Sequence, residues 1–202
     1  MSSGSPDLWS QWGEFGKFNA RGMKGGEALI LELNRIVYSS GISSPITTKR
    51  GLSARLRYLD SPAGRTALRE QGVSARTIRS WMKSKGKVTP TAANRDRIDS
   101  AYWTRRRENL VRSGWLKRHL DNEGRGRRME IYPVDQSHVP TERARPTLSQ
   151  RSITVRYVWG DLVDAWAAQD ANLVDEIWDD VISDLDSDYA AYAYVSSVGI
   201  GA

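Results

Sequence analysis

The sequence predicts an α+β protein in which a basic helical part is followed by a small C-terminal α/β unit. Apolar residues recur at helical spacing up to about residue 120, and strand-like alternation comes later. The charge of the side chains also changes along the chain, from basic in the helical part to acidic at the C-terminus. Residues 50–156 hold 25 basic and 10 acidic side chains, a net of +15, whereas residues 157–202 hold ten acids and no Lys or Arg. The whole chain carries +6.

Composition excludes several classes of protein. The chain has 202 residues, no cysteine and two histidines, His119 and His138. It therefore lacks disulfides, thiolate ligands, a cysteine nucleophile and the clustered histidines of a typical zinc enzyme, and we expect neither a metal nor a cofactor. Because no apolar run approaches the roughly 18 residues of a membrane span, we expect no membrane association.

Four segments are predicted along the chain. They are a flexible aromatic arm (1–25), a helical domain (26–120), a basic turn and hydroxyl-rich loop (121–150) and an acidic α/β domain (151–202). The arm either docks on a partner or packs on its own domain. The acidic segment is either an ordinary acidic helical face or an internal mimic of nucleic acid that shields the basic surface.

Outside residues 64–82, three helices are predicted in the helical domain: 26–38, 50–60 and 89–112. The third begins with Thr89 as its cap and Pro90 at its first position. In the second helix an apolar stripe faces inward and three arginines lie off it. The stripe is Leu52, Leu56 and Leu59, and the arginines are Arg50, Arg55 and Arg57.

The C-terminal third alternates strands and helices. Residues 152–159 alternate apolar and polar side chains, as a half-buried strand does. Asp161 and Asn172 are predicted to cap two helices. Residues 189–198 are predicted to form a final strand. A short strand around Met129 is predicted before this region.

Residues 64–82 fit a helix-turn-helix. Gly72 suits the turn because glycine adopts a positive φ at little cost. Val73 is expected to fill the bend, and Ser74 to cap the second helix. Inward contacts are predicted for Ala67 and Leu68 in the first helix and for Ile78 and Trp81 in the second. The alternative is an ordinary helical hairpin with a solvated basic face.

Arg76 and Arg79 lie three residues apart and thus on one side of the second helix. Arginine can donate two hydrogen bonds to guanine in the major groove, so we expect these two to read bases. Lysines that follow the helix are assigned to phosphates. The predicted DNA-binding residues are Ser74, Arg76, Thr77, Arg79, Ser80, Lys83, Lys85, Lys87, Arg105 and Arg106.

A family resemblance rests on these runs. Residues 55–59 (Arg-Leu-Arg-Tyr-Leu) and 72–81 (Gly-Val-Ser-Ala-Arg-Thr-Ile-Arg-Ser-Trp), followed by Ile153-Thr154-Val155 and an acidic C-terminus, resemble the telomere terminal proteins of linear actinobacterial chromosomes and plasmids. The resemblance covers about residues 50–195 and is sharpest in the helix-turn-helix.

The resemblance implies a DNA-binding protein that caps the 5′ ends of linear replicons and primes telomere replication through a side-chain hydroxyl. Such a protein is not itself an enzyme. Its implied partners are DNA, a DNA polymerase and a telomere-binding protein, and its location is the cytoplasm, associated with the nucleoid. The loop 135–150 offers four candidate hydroxyls: Ser137, Thr141, Thr147 and Ser149. Of these, Thr141 best matches the acceptor threonine of the family.

Two other functions remain open at this point. One is a helix-turn-helix regulator of transcription or plasmid replication, in which the C-terminal unit forms a homodimer. The other is a nuclease or recombinase that uses paired carboxylates, since Asp175 with Asp179, and Asp180 with Asp184, lie four residues apart on a helix.

Overall fold

The computed structural model describes residues 20–84, 89–185 and 191–201, which form eight helices and a four-stranded antiparallel sheet. The α+β class is therefore confirmed. Most of the predicted aromatic arm lies outside the described residues. The chain divides into two compact units: residues 34–115 form a helical unit, and residues 20–33 together with 116–201 form a sheet unit.

The elements follow one another in this order. The helices are α1 (Gly25–Ser39), α2 (Lys49–Tyr58), α3 (Pro62–Glu70), α4 (Ala75–Ser84), α5 (Ala92–Arg112), α6 (Trp115–Asp121), α7 (Trp159–Ala168) and α8 (Ala171–Ser183). The strands are β1 (Met23–Lys24), β2 (Arg127–Pro133), β3 (Arg151–Val155) and β4 (Tyr194–Ile200).

Hydroxyl caps begin three helices of the helical unit. Thr48 caps α2, Ser61 caps α3 with Pro62 next to it, and Thr91 caps α5, each accepting a hydrogen bond from an amide three residues on. The predicted cap Thr89 is therefore wrong by two residues. Two threonines flank Pro90, and the helix starts after the second one.

The core of the helical unit joins α2, α3, α4 and α5. Its members are buried apolar side chains, and their inward spacing matches the predicted stripes. They are Leu56, Leu59, Ala67, Leu68, Val73, Ile78, Trp81, Ile98, Ala101 and Tyr102.

Arg55 departs from the sequence interpretation, which set it off the apolar stripe. It is only 4% exposed, and its guanidinium donates to Asp99 Oδ1 at 2.5 Å and to the carbonyl oxygen of Ser44 at 2.7 Å. A buried charge needs such partners. The arginine therefore ties α2 to α5 and to the preceding loop instead of facing solvent.

The sheet has the order β1-β4-β2-β3 with every pairing antiparallel. Met23 pairs with Val195, and Met129 lies between Ile200 and Ile153. The acidic C-terminal segment therefore does not build its sheet alone, because β1 and β2 come from earlier in the chain. The last strand lies at Tyr194–Ile200, later than predicted.

Three buried tryptophans pack α7 and α8 within the sheet unit. The indole N–H of Trp159 donates to the carbonyl oxygen of Val155 at 3.1 Å, and that of Trp178 donates to Tyr192 at 3.0 Å. Trp166 is likewise buried. Each indole thus fills core volume, and the N–H groups of Trp159 and Trp178 donate to backbone carbonyl oxygens.

Both predicted caps in this region are wrong. The helix α7 begins at Trp159 after Val158, which makes no side-chain cap bond, and Asp161 lies in its first turn. Asp170 caps α8 through the amide of Leu173. It precedes Asn172 in the chain, so the helix has already begun where the prediction placed the cap.

Candidate nucleic-acid interface

The connection between α3 and α4 is a compact turn at Gly72, whose φ is +76°. The Gly72 amide donates to the carbonyl oxygen of Arg69 at 2.8 Å, and the Val73 amide donates to that of Leu68 at 3.1 Å. This pair of bonds is the Schellman motif that ends many helices, and a contact between buried apolar residues, here Leu68 and Val73, commonly accompanies it. The predicted roles of Gly72 and Val73 are confirmed.

Ser74 begins α4. Its hydroxyl accepts a hydrogen bond from the Thr77 amide at 3.2 Å and lies 2.8 Å from the Thr77 hydroxyl. The predicted cap is therefore confirmed. Both hydroxyls are held at the start of the helix, where the exposed Ser74 faces solvent.

The helix α4 has one buried and one polar face. Ile78 and Trp81 are buried in the core of the helical unit. On the other side, Arg76, Arg79, Ser80 and Lys83 are exposed and Thr77 is half-buried. Within the described parts of the chain, no ion pair neutralises Arg76, Arg79 or Lys83.

The charge of the chain follows its structural units. Residues 34–115 contain 18 Lys and Arg against five Asp and Glu, a net of +13. The sheet unit, residues 20–33 and 116–201, contains 11 basic and 17 acidic residues, a net of −6. A unit with such an excess of positive charge attracts a polyanion.

The other predicted DNA-binding residues differ in their placement. Lys85 and Lys87 lie outside the described residues. Arg105 is ion-paired with Glu108 on the same helix. Arg106 donates to the carbonyl oxygen of Ser40 at 2.5 Å, and its Nε is buried. Arg105 and Arg106 are thus both engaged within the helical unit.

Two exposed arginines of α3 were not among the predicted residues. Arg65 pairs with Asp60, and Arg69 donates to the hydroxyl of Thr66. They lie four residues apart on the side away from Ala67 and Leu68. The inward positions predicted for Ala67 and Leu68 already imply that these two arginines face outward. Sequence reasoning could therefore have included them in the basic surface.

Thr141 is exposed in the loop between β2 and β3. The amides of Arg143 and Ala144 both donate to the carbonyl oxygen of Pro140, at 2.8 and 3.0 Å, so Thr141 sits in a single tight turn. The side chain of Gln136 exchanges two hydrogen bonds with the backbone of Arg145, which closes the loop below that turn. The other predicted hydroxyls, Ser137, Thr147 and Ser149, are exposed as well.

The carboxylates of α8 are partly engaged in contacts. Lys24 donates to Asp175 at 3.1 Å, and this contact raises the pKa of Lys24. Loss of hydration and then the charges of Asp175 and Asp180 raise the pKa of Asp179, although the residue is exposed to solvent. Among the described residues, no three His, Asp or Glu side chains form a group that could hold a metal ion.

Comparison with known proteins returned no matching family model, no matching curated protein and no matching solved structure. None of the described helices combines the length and the apolar character that crossing a membrane requires.

Proposed function

We propose that α3 and α4 form a helix-turn-helix and that the chain binds duplex DNA by placing α4 in the major groove. One observation carries the proposal: α4 buries Ile78 and Trp81 while Arg76, Arg79 and Lys83 on its other face stay exposed. An arginine pair on an exposed helix can donate to guanine edges, and lysines at the helix end meet phosphates.

The net charge of the helical unit supports the same partner. Each phosphate neutralised by Lys or Arg releases condensed counterions, so binding should weaken steeply with salt. Exposed Arg65 and Arg69 extend the basic surface along α3, the helix that crosses the DNA backbone in such motifs.

Fluorescence anisotropy with a labelled duplex of the preferred sequence, selected from a random pool, tests the proposal. With about 6–10 phosphate contacts, affinity should fall on the order of a thousandfold between 50 and 200 mM salt. The double variant Arg76→Ala/Arg79→Ala should lose most binding. The matched control Arg50→Ala/Arg57→Ala removes two exposed charges from α2 and should lose much less. Equal losses would refute placement of α4 in the groove.

For the biological role we propose a terminal protein that caps the 5′ ends of linear DNA and primes its replication. The Thr141 hydroxyl oxygen would attack the α-phosphorus of a deoxynucleoside triphosphate in a partner polymerase. A phosphoester forms, the bond to the bridging oxygen breaks, pyrophosphate leaves, and the hydroxyl proton passes to a base of the polymerase or to solvent. The exposed turn at Thr141 supports this role, since the acceptor has to enter another protein's active site.

Isolation of the full chain from its source cells in hot detergent tests this role. After nuclease digestion, mass spectrometry should find one nucleotide linked through phosphate to Thr141. Thr141→Ala should abolish the adduct, and Thr147→Ala should retain it. An adduct at another loop hydroxyl would refute only the acceptor assignment. Absence of any adduct, with duplex binding intact, would favour the transcriptional or replication regulator.

A further inference from the structure

Tyr157, at the corner between β3 and α7, turns its aromatic side chain to solvent. It is 84% exposed, compared with 54% for Tyr38 and 39% for Tyr132. Its φ of +65° lies in the left-handed region, which a bulky side chain rarely adopts. A strained backbone that holds an aromatic ring away from the core is typical of a binding position.

The corner packs against the turn between α6 and β2. Four residues of that turn have a positive φ: Asn122, Glu123, Gly124 and Gly126. A Cβ at Gly126 would come within 2.1 Å of the Val155 carbonyl oxygen and 2.7 Å of Arg156 Cγ. Only glycine allows this approach. Arg156 Nε then donates to the carbonyl oxygen of Arg125 at 3.2 Å, which links the turn to the corner.

The turn and the corner hold more basic than acidic residues, although the sheet unit as a whole is acidic. The register that pairs Arg127 with Val155 brings the start of β2 beside the end of β3. Five arginines lie in or next to the turn and corner (Arg118, Arg125, Arg127, Arg128 and Arg156), together with the acids Asp121 and Glu123. Arg125 is paired with Glu123 at 2.8 Å, and Arg128 is paired with Glu130. The side chains of Arg125 and Glu123 are 69% and 84% exposed, so their pair is weak and a phosphate can replace the carboxylate. Burial, followed by the positive charge of Arg127, lowers the pKa of nearby His119.

We propose that Tyr157 forms a single-stranded DNA site with Arg125 and Arg156. The ring stacks on one base, and the guanidinium groups neutralise the neighbouring phosphates. Every base presents a flat face, so the site should tolerate many sequences. It lies in the sheet unit, whereas α4 belongs to the helical unit, so this inference does not depend on the duplex-binding proposal.

Anisotropy of a fluorescein-labelled twelve-residue oligothymidine, added to the full chain carrying Arg76→Ala/Arg79→Ala, measures this site apart from α4. Tyr157→Ala should weaken binding about 5- to 100-fold, whereas Tyr157→Phe keeps the ring and should stay within about twofold. Arg125→Ala and Arg156→Ala should each weaken binding and lower its salt dependence. The control Tyr132→Ala removes a less exposed ring from the same unit and should change little.

Tyr157→Gly separates binding from folding. Glycine relieves the left-handed strain, so this variant should melt at or above the temperature of the parent protein and still lose the oligothymidine. The inference is overturned if the parent does not bind the oligothymidine, if Tyr157→Gly binds it normally, or if oligouridine binds more tightly. The two sites are distinct if Arg76→Ala/Arg79→Ala loses duplex binding but still binds the oligothymidine. If the parent protein does not bind duplex DNA at all, only the helix-turn-helix proposal is refuted.

Discussion

Arg55 of α2 and Asp99 of α5 form an ion pair inside the helical unit, with Nε 2.5 Å from Oδ1 and only 5% of the arginine side chain exposed. The guanidinium also lies 5.2 Å from the centre of the Tyr102 ring. Two residues that are 44 positions apart in sequence thereby join two helices through one charged contact.

Asp99→Asn should destabilise the helical unit. The substitution leaves Arg55 buried with a weaker partner, and we expect a loss of about 2 kcal/mol in the free energy of unfolding, below the value for a fully buried pair because Asp99 is partly exposed. Urea unfolding followed by circular dichroism measures the change. Asp96→Asn, at an exposed site on the same helix, should stay within about 0.5 kcal/mol. Equal losses in both variants would contradict a structural role for the pair.

Gly72→Ala should cost about 1 kcal/mol of stability. No atom lies within 4 Å of a Cβ placed there, so the cost comes from the positive φ alone. Gly160 in α7 also has open space around a Cβ but no positive φ, and Gly160→Ala should stabilise the protein by up to about 1 kcal/mol. Thermal unfolding of the two variants should thus shift in opposite directions. A gain in the Gly72 variant would be incompatible with the turn described.

Arg76→Ala and Lys83→Ala should differ in kind. If Arg76 reads a base, its loss costs roughly 1–3 kcal/mol on the preferred sequence and relaxes the preference. Loss of a phosphate contact at Lys83 should weaken all sequences about equally and reduce the salt slope by about one. Selection of bound sequences from a random duplex pool, followed by affinity measurements on the selected duplexes, separates these effects. Identical preferences in parent and Arg76→Ala would remove Arg76 from base reading.

Asp179→Asn should stabilise the protein at neutral pH and not at acid pH. The folded chain raises the pKa of Asp179 above its ordinary value of 3.8, so the unfolded chain loses this proton first as pH rises. Ionised Asp179 therefore disfavours the folded state above that pH range. Urea unfolding should show that the variant has a higher free energy of unfolding than the parent at pH 7, and that this difference disappears near pH 3. A gain of equal size at both values would assign the effect to something other than charge.

Local signals predicted the turn at Gly72 because every interaction there lies within a few residues. A glycine, an apolar residue and a serine in succession specify the chain reversal and the next helix start without any distant partner. For the same reason the two faces of α4 follow from the spacing of Ile78 and Trp81.

Other features depend on distant residues and could not be predicted. Nothing in the sequence near Arg55 indicates Asp99, and the pairing of Met23 with Val195 joins opposite parts of the chain. Two of the predicted helix caps, Thr89 and Asn172, failed for a different reason. Thr89 and Thr91 both satisfy the rule for a cap, as do Asp170 and Asn172, so packing of the whole helix decides between them.

The pairing of β1 with β4 has a consequence for synthesis on the ribosome. The helical unit is one continuous stretch that can complete its core once residue 115 has emerged. The sheet unit contains residues 20–33 but cannot close until β4 has been translated about 170 residues later. The strongly cationic portion of the nascent chain is therefore ready to fold while the anionic portion is still incomplete.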